Sequence, residues 1–587
     1  MNQDNKNFVL FAVFAALILF GWPLLQGRFF PTANPPVTKV VDGRSTPLPQ
    51  PQADPAADGP AAMRDRRIVL AESPRVPIDT PTLKGSINLK GARIDDLILT
   101  RFGETIAKDS PPIRLLSPSG AADAYFAGFS WAGAGLAVPS ADTVWRATGS
   151  VLSPGKPVTL DAANATGQRF RITLSIDDSY MITVQQTVAN GGAGAVPVAA
   201  SGYVTRTGVS KDPDSWTMHT GPMSASGNGA NYDVSFANLD GKEPGFFAKL
   251  FGTKAVGGIN TYTATAGWLG FTDKYWLTAL IPDNGKSFTG RFRPSEDPLP
   301  NRRYQADYDT VPTILPPDKA ITQTSRFFAG AKEVAVLQHY ENDGGIRFFD
   351  KAIDWGWFEI FEKPIFTYLH WLFRLIGNFG FAIILLTFTI RALMFPIAQR
   401  QFASMASMRA IQPKMKALQA KYKDDKPRQQ QEIMALYKAE KVNPLAGCLP
   451  TLIQIPVFYA LYKVLMLTIE MRHQPFVGWI KDLSAPDSAT ILNLFGYLNF
   501  TPPHFLAIGV VPVLLGISMF FQFKLNPAPM DETQKQVFAI MPWVLMFVMA
   551  PFAVGLQVYW ITSNCLTMAQ QKFLYSRHPA LKTAAAK

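Results

Sequence analysis

The sequence predicts a polytopic α-helical membrane protein that carries a large antiparallel β-sandwich domain outside the lipid. Long apolar segments occur near the start of the chain and throughout its last third. The region between them shows short runs in which apolar and polar residues alternate, as in half-buried strands. Apolar residues make up 48% of the 587 residues and the formal charge is +12. This composition fits a membrane protein with polar parts better than one soluble globule.

Six apolar segments approach the length of about 20 residues that crosses a hydrocarbon core. No small-x-small cleavage motif follows the first of them, so we interpret it as an uncleaved anchor rather than a signal peptide. An even number of spans places both termini on the same side of the membrane. The six segments are residues 8–25, 379–396, 449–467, 505–523, 537–552 and 555–571.

The charge of one loop predicts the orientation. Residues 400–441 contain ten Lys or Arg against four Asp or Glu, a surplus of six positive charges. Such loops are retained in the cytoplasm, where they also attract anionic lipid or RNA. Both termini are then cytoplasmic, whereas residues 26–378 and the loop at 469–503 face outward.

The outer region divides into a linker and a β domain. Residues 31–62 are rich in Pro, Ala and Asp and predict a disordered linker, and residues 63–345 predict the β-sandwich. Two alternating runs, 170–176 and 180–184, flank Asp177-Asp178-Ser179 and predict a hairpin. The only histidines here are His219 and His339. We therefore expect neither a metal site nor a catalytic cluster, and we interpret the domain as a scaffold or docking surface.

Residues 350–376 contain an aromatic-rich segment before the second apolar span. Its mixture of apolar and charged positions is typical of an amphipathic helix that lies in the membrane interface. Proline removes a backbone donor, so we expect Pro364 to break or kink this helix.

A helical hairpin is predicted within residues 400–441. Six apolar residues recur at intervals of three and four and form one stripe on a helix: Met405, Met408, Ile411, Met415, Leu418 and Tyr422. A polar break at residues 423–427 separates them from a second helical pattern. The stripe either seals the two helices together or offers an adaptable methionine-rich surface to partners.

Arg391 lies inside the second apolar span, and none of the apolar spans supplies an acidic residue that could pair with it. A guanidinium near mid-membrane costs about 2.5 to 3.5 kcal/mol on insertion scales, so it faces water or a partner. The alternative is that Arg391 lies near the cytoplasmic end of the span and extends to the headgroups.

Several motifs in order along the chain resemble the bacterial branch of the YidC/Oxa/Alb membrane protein insertase family. The resemblance covers essentially the whole sequence, and the combined order and spacing of the motifs is specific. These motifs are Asp354-Trp355-Gly356-Trp357, the segment 387–391 with Pro396, the run 437–445, Cys448 with Pro450, Gln454 and Pro456, and in the last span Gly555-Leu556 and Ser563-Asn564.

The resemblance implies an insertase that receives hydrophobic segments from the ribosome or the Sec translocon and releases them into lipid. It implies a hydrophilic groove that contains Arg391 and Thr387, with Gln454, Ser563 and Asn564 as polar lining. An apolar slide is assigned to Ile455, Phe458, Val548 and Trp560. The hairpin contacts with ribosome and client are assigned to Met405, Met408, Met415, Lys421 and Lys423.

Two positions depart from the family pattern. Trp560 stands where the family often has Tyr, and Lys463 adds a charge to the third span. We expect Lys463 to lie near the outer end of that helix and to extend its amine to the headgroups.

The resulting organisation is that of a bacterial inner-membrane protein whose large domain is periplasmic. Besides nascent membrane proteins, the ribosome and the translocon, the expected partners include lipid and the signal recognition particle receptor. We expect no cofactor and no enzymatic activity. The sequence has no Gly-x-x-x-x-Gly-Lys-Ser/Thr loop for ATP, so we expect the energy to come from partitioning of the client, the membrane potential or partners. The predicted parts are an anchor (1–30), linker (31–62), sandwich (63–345), interfacial helix (350–376), five-helix insertase core with the hairpin (377–575) and basic tail (576–587).

Two other classes of function remain open at this stage. The first is a secondary transporter that binds a small anion at Arg391, although the spans show no obvious internal repeat. The second is an envelope enzyme that acts through the β domain, which lacks a suitable cluster of residues.

Overall fold

A computed structural model describes residues 64–577, except 213, 215–216, 228, 242–257, 296, 298–300, 357, 423–424, 441–448, 491, 493–507 and 526–531. The described chain forms two compact units, of which the first ends at Asp354 and the second begins at Trp355. The predicted anchor, the linker and most of the basic tail lie outside the described residues.

The first unit is built on two antiparallel sheets, which confirms the predicted sandwich. One sheet has the order β1-β2-β3-β5-β10-β17-β16-β13, with β4 paired to β3 and β18 to β10, and the other has the order β12-β11-β14-β15-β19-β9-β8-β7-β6. The strands are β1 (Arg75–Asp79), β2 (Leu83–Asn88), β3 (Arg93–Gly103), β4 (Pro112–Leu116), β5 (Tyr125–Ala132), β6 (Arg146–Thr148), β7 (Val158–Ala163), β8 (Gln168–Ile176), β9 (Met181–Asn190), β10 (Val196–Thr207), β11 (Gly221–Ser226), β12 (Gly229–Asn231), β13 (Asn260–Ala264), β14 (Gly267–Thr272), β15 (Trp276–Ile281), β16 (Phe288–Pro294), β17 (Arg303–Thr310), β18 (Thr313–Leu315) and β19 (Lys319–Ala331).

The hairpin predicted from alternation is confirmed as β8 and β9. Ile176 pairs with Ile182, and the apolar positions of both strands are buried while the alternate positions are more exposed. Asp177 closes the turn, because its carboxylate accepts hydrogen bonds from the backbone N–H groups of Ser179 and Met181, each at 3.0 Å. A local pattern therefore specified a local structure.

The two sheets meet through aromatic and polar side chains. The ring centroids of Phe129 on β5 and Phe327 on β19 lie 6.3 Å apart. The hydroxyls of Tyr125 on β5 and Thr278 on β15 are 2.6 Å apart. Since apolar burial contributes about 25 cal/mol per Å², this double layer is the stable core that positions the rest of the unit.

The last residues of the first unit are fastened to the sandwich by side chains. The ammonium group of Lys332 is buried and donates to Thr272 Oγ1 at 3.0 Å and to the carbonyl of Ala352 at 3.2 Å. The Tyr232 hydroxyl donates to the carbonyl of Lys351 at 2.7 Å. Burial lowers the pKa of Lys332 to about 8. Side chains of the sandwich thus bind the backbone carbonyls of Lys351 and Ala352, in the segment that follows the sandwich.

Helices make up most of the second unit. Short helices α1 (Arg66–Ala71), α2 (Phe236–Leu239) and α3 (Val334–Asn342) belong to the first unit. The second unit contains α4 (Glu359–Ile376), α5 (Phe379–Leu393), α6 (Phe395–Lys421), α7 (Lys426–Ala439), α8 (Leu449–Leu467), α9 (Val510–Leu525), α10 (Glu532–Met549) and α11 (Val554–Arg577). Within the described ranges, none of these helices combines the length and the apolar character needed to cross a membrane.

Helix α4 is continuous from Glu359 to Ile376, so the expectation that Pro364 breaks it is wrong, while the expected kink stays a prediction. Pro364 is the sixth residue of the helix and Glu362 N–H already donates to the carbonyl of Phe358, so the proline removes one intrahelical hydrogen bond that the helix tolerates. One face of the helix is packed, since Leu369 and Leu372 are buried, whereas the apolar side chains of Trp371 and Leu375 are exposed.

Lys463 lies inside the protein, which corrects the expectation that its amine extends to the headgroups. Only 2% of Lys463 is exposed, and its helix α8 packs against α4. On α4, Glu362 is fully buried as well. The rings of Phe358 and Tyr459, each one helical turn before these charges, have centroids 5.1 Å apart. The packing of α4 on α8 therefore encloses both charges.

The predicted helical hairpin is confirmed as α6 and α7, which are separated at residues 422–425. Ile411, Met415 and Tyr437 form a buried cluster between the two helices, and Ile433 and Leu436 pack on its edge. This part of the stripe seals the hairpin, as the first of the two interpretations expected. The side chains of Met405 and Met408 lie outside the described part of the structure.

Candidate functional site: the Arg391 cluster

Arg391 lies in the last turn of α5, on the same helical face as Thr387 one turn earlier. The Arg391 Nε donates to Ser563 Oγ on α11 at 3.2 Å, and a terminal guanidinium nitrogen donates to the same hydroxyl. Thr387 is buried, and its hydroxyl donates to the carbonyl of Ile383 at 2.7 Å. Thr387 thus satisfies its hydroxyl within its own helix.

The partner of Arg391 is neutral. Among the residues that the structure describes, no acidic side chain forms an ion pair with Arg391. A hydroxyl accepts hydrogen bonds from the guanidinium but leaves its charge uncompensated. The cluster can therefore attract an anionic group that approaches it.

Gln454 on α8 completes the contact between three helices. Its amide donates to the hydroxyl of Tyr559 on α11, one turn before Ser563. Helices α5 and α8 thus contact two adjacent turns of α11, α5 at Ser563 and α8 at Tyr559. The structure brings Arg391 to Ser563 and Gln454 to Tyr559, while the role of these residues as the lining of a groove stays a prediction.

Asn564 has a different neighbour from Ser563. Its amide donates to the hydroxyl of Ser518 on α9 at 2.8 Å, and only 2% of Asn564 is exposed. Successive helical residues differ in direction by about 100°, which explains why Ser563 reaches α5 whereas Asn564 reaches α9.

The four residues assigned to the apolar slide fall into two groups. Phe458 on α8 and Trp560 on α11 form an edge-to-face pair with centroids 5.0 Å apart. Ile455 and Val548 remain 46% and 51% exposed. An apolar side chain that the protein leaves uncovered is available to lipid or to an apolar segment.

The tip of the hairpin carries positive charge around one ring. Lys421 Nζ lies 5.3 Å from the ring centroid of Tyr422, and the Arg428 guanidinium carbon lies 5.5 Å from it. Both cations are exposed. Lys423 lies outside the described residues. The described tip is basic and offers charge, rather than base-specific groups, to an anionic partner.

The sequence reasoning missed Tyr559, and the resemblance drew attention to the residues on either side of it. The signal available in the sequence was its spacing, because Tyr559 precedes Ser563 by four residues and therefore lies on the same face of a helix. Within the described residues no group of three His, Cys, Asp or Glu side chains is arranged to hold a metal ion.

Two family profiles match the sequence. The profile described as YidC periplasmic domain matches residues 75–368, and the profile described as 60Kd inner membrane protein matches residues 371–581. The first contains the sandwich and the second contains the Arg391 cluster.

Curated relatives match along nearly the whole chain. The membrane protein insertase YidC of Zymomonas mobilis is 47% identical over 577 residues, which cover 98% of this chain and 96% of that protein. The protein of the same name from Methylorubrum extorquens is 43% identical, with 98% of this chain and 96% of that protein covered. None of these names supports the anion-transporter alternative.

Among solved structures, the one titled "Active YidC insertase crystal structure with the first transmembrane domain resolved" matches with 16% identity and a TM-score of 0.35. It covers 86% of this chain and 95% of that chain. The identities of the full-length relatives and the two profile matches decide the assignment. The chain belongs to the YidC family of membrane protein insertases.

Proposed function

We propose that this chain inserts and folds integral membrane proteins, and that the Arg391 cluster is the polar part of its client groove. The single observation that carries this proposal is the contact of a guanidinium with a neutral hydroxyl where α5, α8 and α11 converge. The names of its full-length relatives support the same activity. Two further polar residues belong to the proposed groove: Thr387, one turn before Arg391, and Asn564, next to Ser563.

The cluster lowers a kinetic barrier rather than supplying energy. A polar tail that crosses lipid loses its hydrogen bonds with water, at a cost of several kcal/mol per unsatisfied group. Hydroxyl, amide and guanidinium groups within the groove offset part of this loss. Burial of about 20 apolar client residues in lipid then makes the overall transfer favourable. Arg391 adds attraction for carboxylates in the tail.

The apolar slide receives the hydrophobic part of the client in this proposal. Ile455 and Val548 are exposed, and Phe458 and Trp560 form an aromatic contact beside the Gln454–Tyr559 hydrogen bond. A client segment beside these residues keeps its polar end at the Arg391 cluster and its apolar part against apolar side chains. The polar cluster thus binds the polar tail of the client, and the apolar slide binds its hydrophobic segment.

For the topology we propose an inner-membrane protein with six spans, both termini in the cytoplasm and the sandwich in the periplasm. Five of the proposed spans are the apolar segments of the sequence that overlap α5 and α8–α11, although these helices as described fall short of a crossing. The sixth is the anchor at residues 8–25. Apolar side chains exposed on α5, α9 and α10 support contact with lipid: Phe381, Leu385, Phe388, Leu514, Ile517, Phe520, Phe521, Phe538, Ile540, Trp543, Val544 and Phe547. Helix α4 lies in the outer interface, with Trp371 and Leu375 toward lipid.

We further propose that the hairpin formed by α6 and α7 receives clients from the ribosome, alone or together with the Sec translocon. Its basic tip, with Lys421 and Arg428 around Tyr422, supports attraction to ribosomal RNA or to anionic lipid. The signal recognition particle receptor is a further proposed partner of the protein. Met405, Met408, Met415 and Lys423 belong to the same proposed contact region, although the buried Met415 acts by sealing the hairpin.

The test is insertion of clients by variants of Arg391 in liposomes that contain the purified protein. Arg391→Ala is expected to slow insertion of clients with acidic tails by about tenfold or more, because a hydrogen bond to a charged group contributes about 1.5 to 3 kcal/mol. Arg391→Lys is expected to be milder, since it keeps the charge but loses the planar donor fork. The exposed Arg374 provides a matched control through Arg374→Ala.

Clients that differ only in the charge of the tail decide the role of Arg391. Neutralising the acidic tail is expected to abolish most of the difference between wild type and Arg391→Ala. An equal loss for acidic and neutral tails would show that Arg391 acts through hydration or structure instead. A wild-type protein that takes up small anions but inserts no client would overturn the proposed function itself.

A further inference from the structure

Three carboxamide residues recur at every seventh position of α11: Gln557, Asn564 and Gln571. We call them the amide ladder. Seven residues are about two helical turns, so the three side chains lie along one stripe of the helix. Their exposures are 0%, 2% and 1%, respectively. Amide side chains are rarely buried to this extent unless they form hydrogen bonds.

The two outer members of the ladder bind the ends of neighbouring helices. Gln557 Nε2 donates to the carbonyls of Met549, the last residue of α10, and of Phe552, each at 3.0 Å. Gln571 Nε2 donates to the carbonyl of Leu525, the last residue of α9, at 2.9 Å. The final carbonyls of a helix have no partner within it. Side chains of α11 therefore cap both α9 and α10.

The middle member makes a contact of defined polarity. The Ser518 hydroxyl donates its proton to the carbonyl of Leu515 at 2.7 Å, so its oxygen acts as the acceptor for Asn564 Nδ2. Ser518 and Leu525, which bind Asn564 and Gln571, are themselves seven residues apart on α9. The two helices thus share the same repeat along their contact.

Apolar contacts alone define only weakly the register of two packed helices, that is, their relative axial position and rotation. A helix that slides or rotates by one turn finds similar apolar neighbours, whereas a displaced amide loses its partner in a site that water does not reach. Ser563 directly precedes Asn564 on α11. Any rotation that moves Asn564 from Ser518 therefore also moves Ser563 relative to Arg391.

We propose that the amide ladder fixes the axial position and rotation of α11 against α9 and α10, and so holds Ser563 in place for Arg391. The ladder residues are positioning residues, since none of them touches Arg391. The effect on clients rests on the proposed insertase function. The register itself does not, and it is measured separately.

A double-mutant cycle on the full-length protein in detergent or lipid tests the register. Ser518→Ala and Asn564→Leu are each expected to lower the melting temperature. The double variant is expected to melt no lower than the more damaging single variant, because both changes remove one shared contact. Thr562→Val is the matched control: Thr562 is a polar residue on α11 whose hydroxyl donates only to its own helix, to Val558 at 2.8 Å.

An exchange of the two side chains separates pairing from general disruption. Ser518→Asn combined with Asn564→Ser keeps one amide and one hydroxyl at the contact and is expected to recover most of the lost melting temperature. Additive losses in the cycle, or Asn564→Leu melting like Thr562→Val, would overturn the proposal. If Asn564→Leu does not accumulate, the exchange variant decides: wild-type behaviour supports the register contact and equal failure refutes it.

Client insertion then reports the positioning role. The initial insertion rate for a client with an acidic tail is expected to fall about fivefold in Asn564→Leu and to recover in the exchange variant, in keeping with the loss of one buried hydrogen bond. Unchanged insertion in a variant with a lowered melting temperature would limit the ladder to stability. If the wild type inserts no client, the proposed function fails, while the melting data still decide the register.

Discussion

Replacing Lys332 by Met is expected to remove a pH-dependent change in the stability of the sandwich. Lys332 is fully enclosed and binds Thr272 and Ala352, and burial lowers its pKa from 10.5 to about 8. Between these two values the unfolded chain holds a proton that the folded chain has released. The free energy of unfolding therefore rises with pH across this window.

The size of the rise follows from the shift. A depression of about two and a half pKa units corresponds to roughly 3 kcal/mol between pH 8 and 10.5, because each unit is about 1.4 kcal/mol. Below pH 8 the penalty for charging Lys332 in the sandwich is present in full. The wild-type protein is thus expected to gain roughly this free energy relative to Lys332→Met as the pH rises.

The measurement is urea unfolding of the intact protein at several pH values, followed by pulsed hydrogen exchange of β9 and β19 at one fixed pH. The difference between wild type and variant cancels the titration of all other groups. Lys319→Met is the control, because Lys319 is an exposed residue at the start of the same strand β19. A difference that stays constant from pH 7.5 to 10.5 would refute the argument that Lys332 is charged at a cost.

Three further predictions concern the second unit and its independence. Deleting residues 64–354 is expected to leave client insertion largely intact, and complete loss in a variant that reaches the membrane would contradict this. Removing residues 405–438 is expected to lower both ribosome co-sedimentation and insertion; if neither changes, the hairpin is only a structural cap. Glu362→Gln and Lys463→Met are each expected to lower the melting temperature, because α4 packs on α8 around both buried charges. The double variant is expected to melt no lower than the more damaging single variant. Additive losses in the double variant would show that the two charges act separately.

Local patterns in the sequence predicted local structure well. The alternation at residues 170–184 predicted β8 and β9, and the intervals of three and four predicted α6. The order of strands was beyond reach, because β10 pairs with β5 and β17, which lie far from it along the chain. Pairings of this kind depend on the packed core and leave no short-range pattern.

At the candidate site, the family resemblance predicted Arg391, Ser563 and Gln454, which the structure brings to one cluster. The contacts of Asn564 could not be predicted, because its partner Ser518 belongs to another helix. The seven-residue recurrence of Gln557, Asn564 and Gln571 was visible in the sequence. The role of this recurrence could be recognised only from the structure, which shows that Gln557 and Gln571 bind the last carbonyls of α10 and α9. Lys463 was misjudged because a charge in an apolar helix gives no sign of whether it faces lipid or another helix.

The position of β19 in the sandwich has a consequence for how the protein is made. This strand is the last of its domain in the chain, yet it lies in the middle of its sheet, paired with β9 on one side and β15 on the other. The ribosome therefore synthesises all the other described strands of the domain before this sheet can be completed. Contacts between residues so distant in sequence form slowly. We therefore expect the two parts of this sheet, β12-β11-β14-β15 and β9-β8-β7-β6, to remain unjoined until β19 has been synthesised.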